Sequence, residues 1–169
     1  MTGPAEAPML LPHDTTHLQH ALRLAREAEQ AGNLPVGAVI TLGQNIIAQG
    51  QNAIWCPRYR GTRHAEIVAL EAVPAELWPQ SRAMTLYTTL EPCLMCTGAI
   101  LLHHLGRVVF GASDALGGGS CVLGVLPAYL EQELALTQWI GPALPEACDA
   151  LYRGMVEKIE KRQAAGLIV

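Results

Sequence analysis

Lysine is scarce in this sequence, occurring only at Lys158 and Lys161, and 11 Lys+Arg face 15 Asp+Glu for a net charge of -4. That balance excludes the global basic field that drives nonspecific nucleic-acid binding. Long apolar runs are missing as well. His103, His104 and Arg107 interrupt the most apolar stretch, so no window approaches the roughly 18 uninterrupted apolar residues of a membrane span. No internal repeat is visible, which excludes a solenoid. The 5 cysteines are odd in number and no basic leader precedes an apolar segment. Both features argue against a secreted disulfide framework and for a reducing cytoplasm.

What is present is a chain of 169 residues, 50% hydrophobic and 15% charged, the composition of one soluble globular domain. Residues 1–13, with Gly3, Pro4, Pro8 and Pro12, read as a poorly ordered lead-in, and 14–169 as the domain. Leu18, Ala21, Leu22, Ala25 and Ala28 recur at helical spacing and predict a helix from Asp14 to about Ala31, stopped by Gly32. Pro35 to Ile40 and Asn45 to Gln49, separated by a turn with Gly43, read as a hairpin. A long loop follows from Asn52 to Arg63, and Thr62 is placed to cap a helix from about His64 to Val73. Met84 to Thr89 predicts a strand running into Glu91-Pro92, with Pro92 suited to the first turn of a helix reaching about His104. Arg107 to Phe110 predicts a buried strand, Leu134 to Ile140 a fifth strand, and Asp149 to Gln163 a closing helix. The alternation predicts an α/β fold of three layers, with helices covering a mixed sheet.

Two fragments carry the chemistry: His64-Ala65-Glu66 and Pro92-Cys93-Leu94-Met95-Cys96. Taken alone, a Cys-x-x-Cys suits a redox pair or half of a structural zinc site, and a His-x-Glu suits a solvated face. Together, at two predicted helix starts, they suit one ion. Cys93 and Cys96 share a helical face where the helix dipole favours thiolates, and His64 makes a third ligand. Three protein ligands leave a tetrahedral Zn2+ one open position, the condition for activating water. Glu66 is then free to take the proton from that water and pass it to a leaving amine. A noncatalytic zinc-stabilised subunit is the rival reading, and the presence of Glu66 counts against it.

The order H-x-E followed by P-C-x-x-C is the signature of zinc nucleobase deaminases. With Leu34 to Val39, His64 to Ile67, Thr89 to Ile100 and Gly106 to Ala112, roughly residues 15–160 resemble the bacterial tRNA adenosine deaminase branch of the cytidine deaminase-like superfamily. The resemblance implies a three-layer αβα fold with a five-stranded sheet, a homodimer, one zinc ion per subunit, and hydrolysis of adenosine to inosine at a tRNA wobble position. It also implies Glu66 as proton shuttle, Asn52 as a base-contacting amide, Ala65 as the residue whose amide neighbours the base, and Asp114 near the substrate ribose.

The sequence departs from that branch in two places. Arg60-Gly61-Thr62-Arg63 stands where the family commonly has Asp-Pro-Thr-Ala, in a loop about one residue longer. Ser113-Asp114-Ala115-Leu116 lacks the two cations the family usually carries there. Each lost phosphate contact weakens polyanion binding. These losses lean the reading toward a free base or nucleoside, with tRNA wobble adenosine as the alternative. Trp55 suits either stacking on the base or covering the loop. Arg58, Arg60 and Arg63 are left without an assigned role, and His103 and His104 suit capping of a helix end.

Overall fold

Strands β1 (Gly37–Leu42), β3 (Met84–Leu90) and β4 (Arg107–Ala112) are apolar on both faces, and in the computed structural model, which describes residues 9–167, helices accordingly cover both sides of the sheet. With β2 (Asn45–Gln51) and β5 (Gln138–Ile140) they form one sheet in the order β2-β1-β3-β4-β5. β1 is antiparallel to β2 and β3, whereas β3, β4 and β5 run parallel. Ala38, Ile40, Leu86 and Val108 point to the layer of α2 (Ala65–Glu71) and α3 (Leu94–Leu102). Their neighbours Val39, Tyr87 and Val109 pack under α1 (Asp14–Gln30). On that side Cys148 of α5 (Pro145–Ala164) meets Leu22 and Ala112. This is the three-layer α/β arrangement with a five-stranded mixed sheet.

Two glycines let the helices settle onto the hairpin. A Cβ at Gly37 would lie 2.2 Å from the Ala21 carbonyl oxygen, and one at Gly50 would lie 2.3 Å from that of Ala65. The second approach sets the depth of the α2 N-terminus, which carries His64 and Glu66.

Several expectations need correction. The stretch from Leu134 is not all strand: Ala128–Ala135 forms α4, and only Gln138–Ile140 joins the sheet. The helix is held by Glu133, whose carboxylate pairs with Arg82 and accepts from His104 Nδ1 at 2.7 Å, and by Thr137 Oγ1 bonding to the Glu133 and Leu105 carbonyls. Residues Ala75–Ala83, for which the sequence predicted no element, form a 3-10 segment. His103 Nδ1 bonds to the Ala99 carbonyl at 2.8 Å as a helix cap, whereas His104 turns to Glu133. Of the lead-in, residues 1–8 lie outside the described residues. Residues 9–13 are tied down, because Arg107 Nη2 donates to the Met9 carbonyl (3.1 Å) and Leu11 N to Asp14 Oδ2 (2.6 Å). All five cysteines are free thiols. Among the described residues no helix is long and apolar enough to cross a membrane.

Candidate metal centre and active site

Two helix N-termini converge beside the carboxyl end of β3. His64 is the N-cap of α2 (φ -67°, ψ 153°) and Cys93 the N-cap of α3 (φ -67°, ψ 172°), and neither side chain caps its own helix. Thr62 is therefore not the cap, and Pro92 lies ahead of α3 rather than in its first turn. The His64 ring turns instead to the other helix, placing Nδ1 3.6 Å from Cys93 Sγ. Cys96, in the first turn of α3, completes a group whose donor atoms all lie within 4.8 Å of one another. Tetrahedral zinc, with Zn–N about 2.0–2.1 Å and Zn–S about 2.3 Å, requires an N to S separation of about 3.6 Å. The donor set therefore fits zinc, and these three residues would hold it.

The electrostatics point the same way. The neighbouring Cys96 thiol, with help from His64, outweighs burial and holds the Cys93 thiol down to about 4. The adjacent Cys93 sulfur, burial and the Glu66 carboxylate push Cys96 up. Burial disfavours charge on His64, but the Cys93 thiolate and Glu66 overcome it and raise the imidazole. A divalent cation supplies the positive charge that lets both sulfurs ionise. Glu66 is 3% exposed, and burial raises its carboxyl above the usual range. Thr88 Oγ1 donates to its Oε1 at 3.1 Å, which leaves Oε2 facing Cys96 Sγ at 3.5 Å.

A cavity of about 280 Å³ opens in front of these groups, walled by Leu34, Val36, Ile54, Leu90 and Met155. Its polar lining is sparse, as small-molecule sites commonly are. Asn52 lines it and is 2% exposed; its Oδ1 accepts from Ile54 N at 3.2 Å, so the donor end of the amide is the end available to a ligand. Asp114 also lines it, but its Oδ1 already accepts from Leu116 N, Gly117 N and Tyr152 Oη at 2.9–3.0 Å. That carboxylate shapes a loop and ties it to α5. Ala65 is fully buried at the start of α2 and has no side-chain surface on the cavity. Trp55 is not brought to the cavity: its ring lies under the Arg162 guanidinium, 4.1 Å from the ring centroid, in a separate groove.

Sequence reasoning missed four residues that build the site. Thr88 orients Glu66, Met155 and Ile159 bring α5 over the cavity, and Glu91 organises the loop that closes it. Glu91 Oε2 accepts from Asp114 N (3.0 Å) and Oε1 from Ser120 N (2.9 Å). Gly118 packs so closely on that carboxylate that a Cβ would lie 2.5 Å from it. Glu91 stands inside the Glu-Pro-Cys run, but its partners lie more than twenty residues away and leave no local signal. Glu91→Ala leaves two amides without acceptors and is expected to cost about 1–3 kcal/mol in urea melts, and a melt indistinguishable from wild type would remove Glu91 from this role.

Comparison with known proteins agrees with this geometry. The tRNA-specific adenosine deaminase of Bacillus subtilis is 34% identical over 156 residues, covering 90% of this chain and 94% of that protein. A solved structure from work on A-to-I editing by tRNA:A34 deaminases at the wobble position is 34% identical, with a TM-score of 0.60, covering 68% of this chain and 90% of that one. A guanine deaminase from Nitrosomonas europaea, 23% identical with a TM-score of 0.63 over 89% of this chain and 88% of that one, shares the fold. The family model described as the cytidine and deoxycytidylate deaminase zinc-binding region matches residues 12–112. That span contains His64, Glu66, Cys93 and Cys96, and the chain belongs to the cytidine and deoxycytidylate deaminase family of zinc-dependent hydrolases that act on C–N bonds.

Proposed function

We propose that this chain hydrolyses the exocyclic amine of an adenosine held in tRNA, releasing ammonia and leaving inosine. The observation that carries the reading is the similarity to the Bacillus subtilis tRNA-specific adenosine deaminase along 90% of the chain. The solved relative from work on A-to-I editing at the wobble position of transfer RNA supports the same target position. These relatives support tRNA better than the free base or nucleoside toward which the missing cations at Ser113 and Leu116 lean. A tRNA substrate fits a cytoplasmic protein.

His64, Cys93 and Cys96 would hold a zinc ion, which when bound would lower the pKa of a water toward about 7. Glu66 Oε2, facing the three donor residues, is placed to take a proton from the attacking water and deliver it to the leaving nitrogen, while Thr88 fixes the opposite oxygen. Asn52 Nδ2 donates to an acceptor on the base, and the Ala65 amide flanks it. The apolar walls exclude bulk water from the base. Leu94, Met95 and Leu102 leave α3 with an exposed apolar surface, and we place the contact of a homodimer there.

The test is ammonia release from the zinc-loaded protein against free bases, nucleosides, nucleotides and a tRNA anticodon stem-loop, with Glu66→Ala as blank. Turnover of the stem-loop alone is the expected result, and turnover confined to a free compound overturns the tRNA reading. Stem-loop binding is further expected to fall steeply with added salt; a flat titration speaks for the uncharged substrates.

A further inference from the structure

Most of the loop between Asn52 and Arg63 is anchored, yet its tip is bare. Asn33 Oδ1 accepts from both Trp55 N and Cys56 N at 2.9 Å, Arg60 N donates to the Ile54 carbonyl at 2.7 Å, and Ala53 N to that of Arg63 at 3.0 Å. These bonds hold the backbone and leave Arg58, Tyr59 and Arg60 exposed. Tyr59 is 52% exposed in a chain with few aromatics. Its ring lies across Gly61, with Oη 3.0 Å from the position a Cβ there would take, and Gly61 lines the catalytic cavity. The phenol end of an exposed aromatic ring therefore stands beside a residue that lines the cavity.

The flanking cations are uncommitted. Arg23, Arg63, Arg82 and Arg107 pair with Glu27, Glu71, Glu133 and Asp14, whereas neither Arg58 nor Arg60 makes an ion pair among the described residues. In a protein of net charge -4, two exposed, unpaired arginines on either side of an exposed tyrosine in sequence suit an anion joined to a planar group. A nucleotide next to the target base has that chemistry: a base to stack and a phosphate to neutralise.

We propose that Arg58, Tyr59 and Arg60 form a recognition platform for the RNA strand beside the target nucleotide, with Tyr59 stacking on a flanking base and the two arginines holding its phosphates. The proposal rests on the tRNA reading above. It also supplies phosphate contacts from a segment other than 113–116, where cations are missing.

The experiment measures binding of a fluorescent anticodon stem-loop by anisotropy across a salt series, together with inosine formation. Tyr59→Ala is expected to weaken binding at least fivefold, because a stacked base contributes about 1–3 kcal/mol, while Tyr59→Phe restores it. The Tyr59→Ala loss should vanish on a stem-loop whose flanking nucleotide lacks its base. Arg58→Ala/Arg60→Ala is expected to make the slope of log affinity against log salt shallower by about two and to raise KM with kcat little changed. Normal folding of each variant is checked by its melt. A wild-type enzyme that edits the stem-loop while the variants keep its affinity and salt slope overturns the platform alone. A wild-type enzyme that neither binds nor edits RNA overturns the tRNA reading and the platform with it.

Discussion

Replacing Glu66 with Gln is expected to leave zinc bound and to reduce turnover by about 10²–10⁴-fold, the contribution of a positioned general acid–base. The two parts of this expectation separate for a structural reason. The metal donors are His64 Nδ1 and the sulfurs of Cys93 and Cys96, so the amide substitution removes no ligand. It also keeps the volume of a side chain that is 3% exposed and preserves an acceptor for Thr88 Oγ1. What it removes is the carboxylate oxygen at Oε2, which lies 3.5 Å from Cys96 Sγ among the donor residues and is the proton-accepting atom in this assignment. Metal analysis should return one zinc per chain for both proteins, and chelation should abolish wild-type turnover until zinc is restored. Unchanged turnover in Glu66→Gln would sink the assignment of the proton shuttle. Loss of zinc would show instead that Glu66 supports the metal.

The features legible in the sequence are those whose signal is local. The spacing of Cys93 and Cys96 at a helix start, and of His64 and Glu66 at another, states which donors share an end of an element, and the sheet closes the distance between them. Strand pairs such as Leu86 and Tyr87 or Val108 and Val109 reveal themselves by being apolar on both faces. What escaped depends on partners far along the chain. Trp55 has the composition of a stacking residue, but Arg162 from α5 covers its ring. α4 hid because Leu134 and Leu136 alternate like a strand, while the bonds that fix it as a helix come from Arg82, His104 and Leu105. Asp114, placed near the substrate ribose by resemblance, does line the cavity, and what the sequence did not show is the engagement of its Oδ1 by Tyr152 and two loop amides.

The largest stability effect is expected from Asp14→Asn, far from the cavity. Asp14 is 1% exposed and receives a forked pair from Arg107, with Nη1 to Oδ1 and Nη2 to Oδ2 both 2.7 Å. Tyr87 Oη (2.9 Å) and Leu11 N (2.6 Å) complete its shell. Burial alone would raise this carboxyl, but Arg107, the Leu11 amide and Tyr87 outweigh it and hold it below the ordinary value of 3.8. Asparagine leaves the Arg107 guanidinium buried without its counter-charge, a change that costs about 3–5 kcal/mol. For a chain of this size, the melting temperature should drop by roughly 6–20 °C. Because the folded-state value lies below the unfolded one, the contribution is complete above the unfolded carboxylate value and is lost as pH falls through the folded value. Wild type should therefore lose stability below about pH 4, and Asp14→Asn should lack that part of the acid limb. Replacing both partners, as in Asp14→Leu/Arg107→Met, removes the unpaired charge and should recover much of the loss. A double variant as unstable as Asp14→Asn would show that the hydrogen bonds to Tyr87 and Leu11, and not the charge pair, hold α1 against β3 and β4.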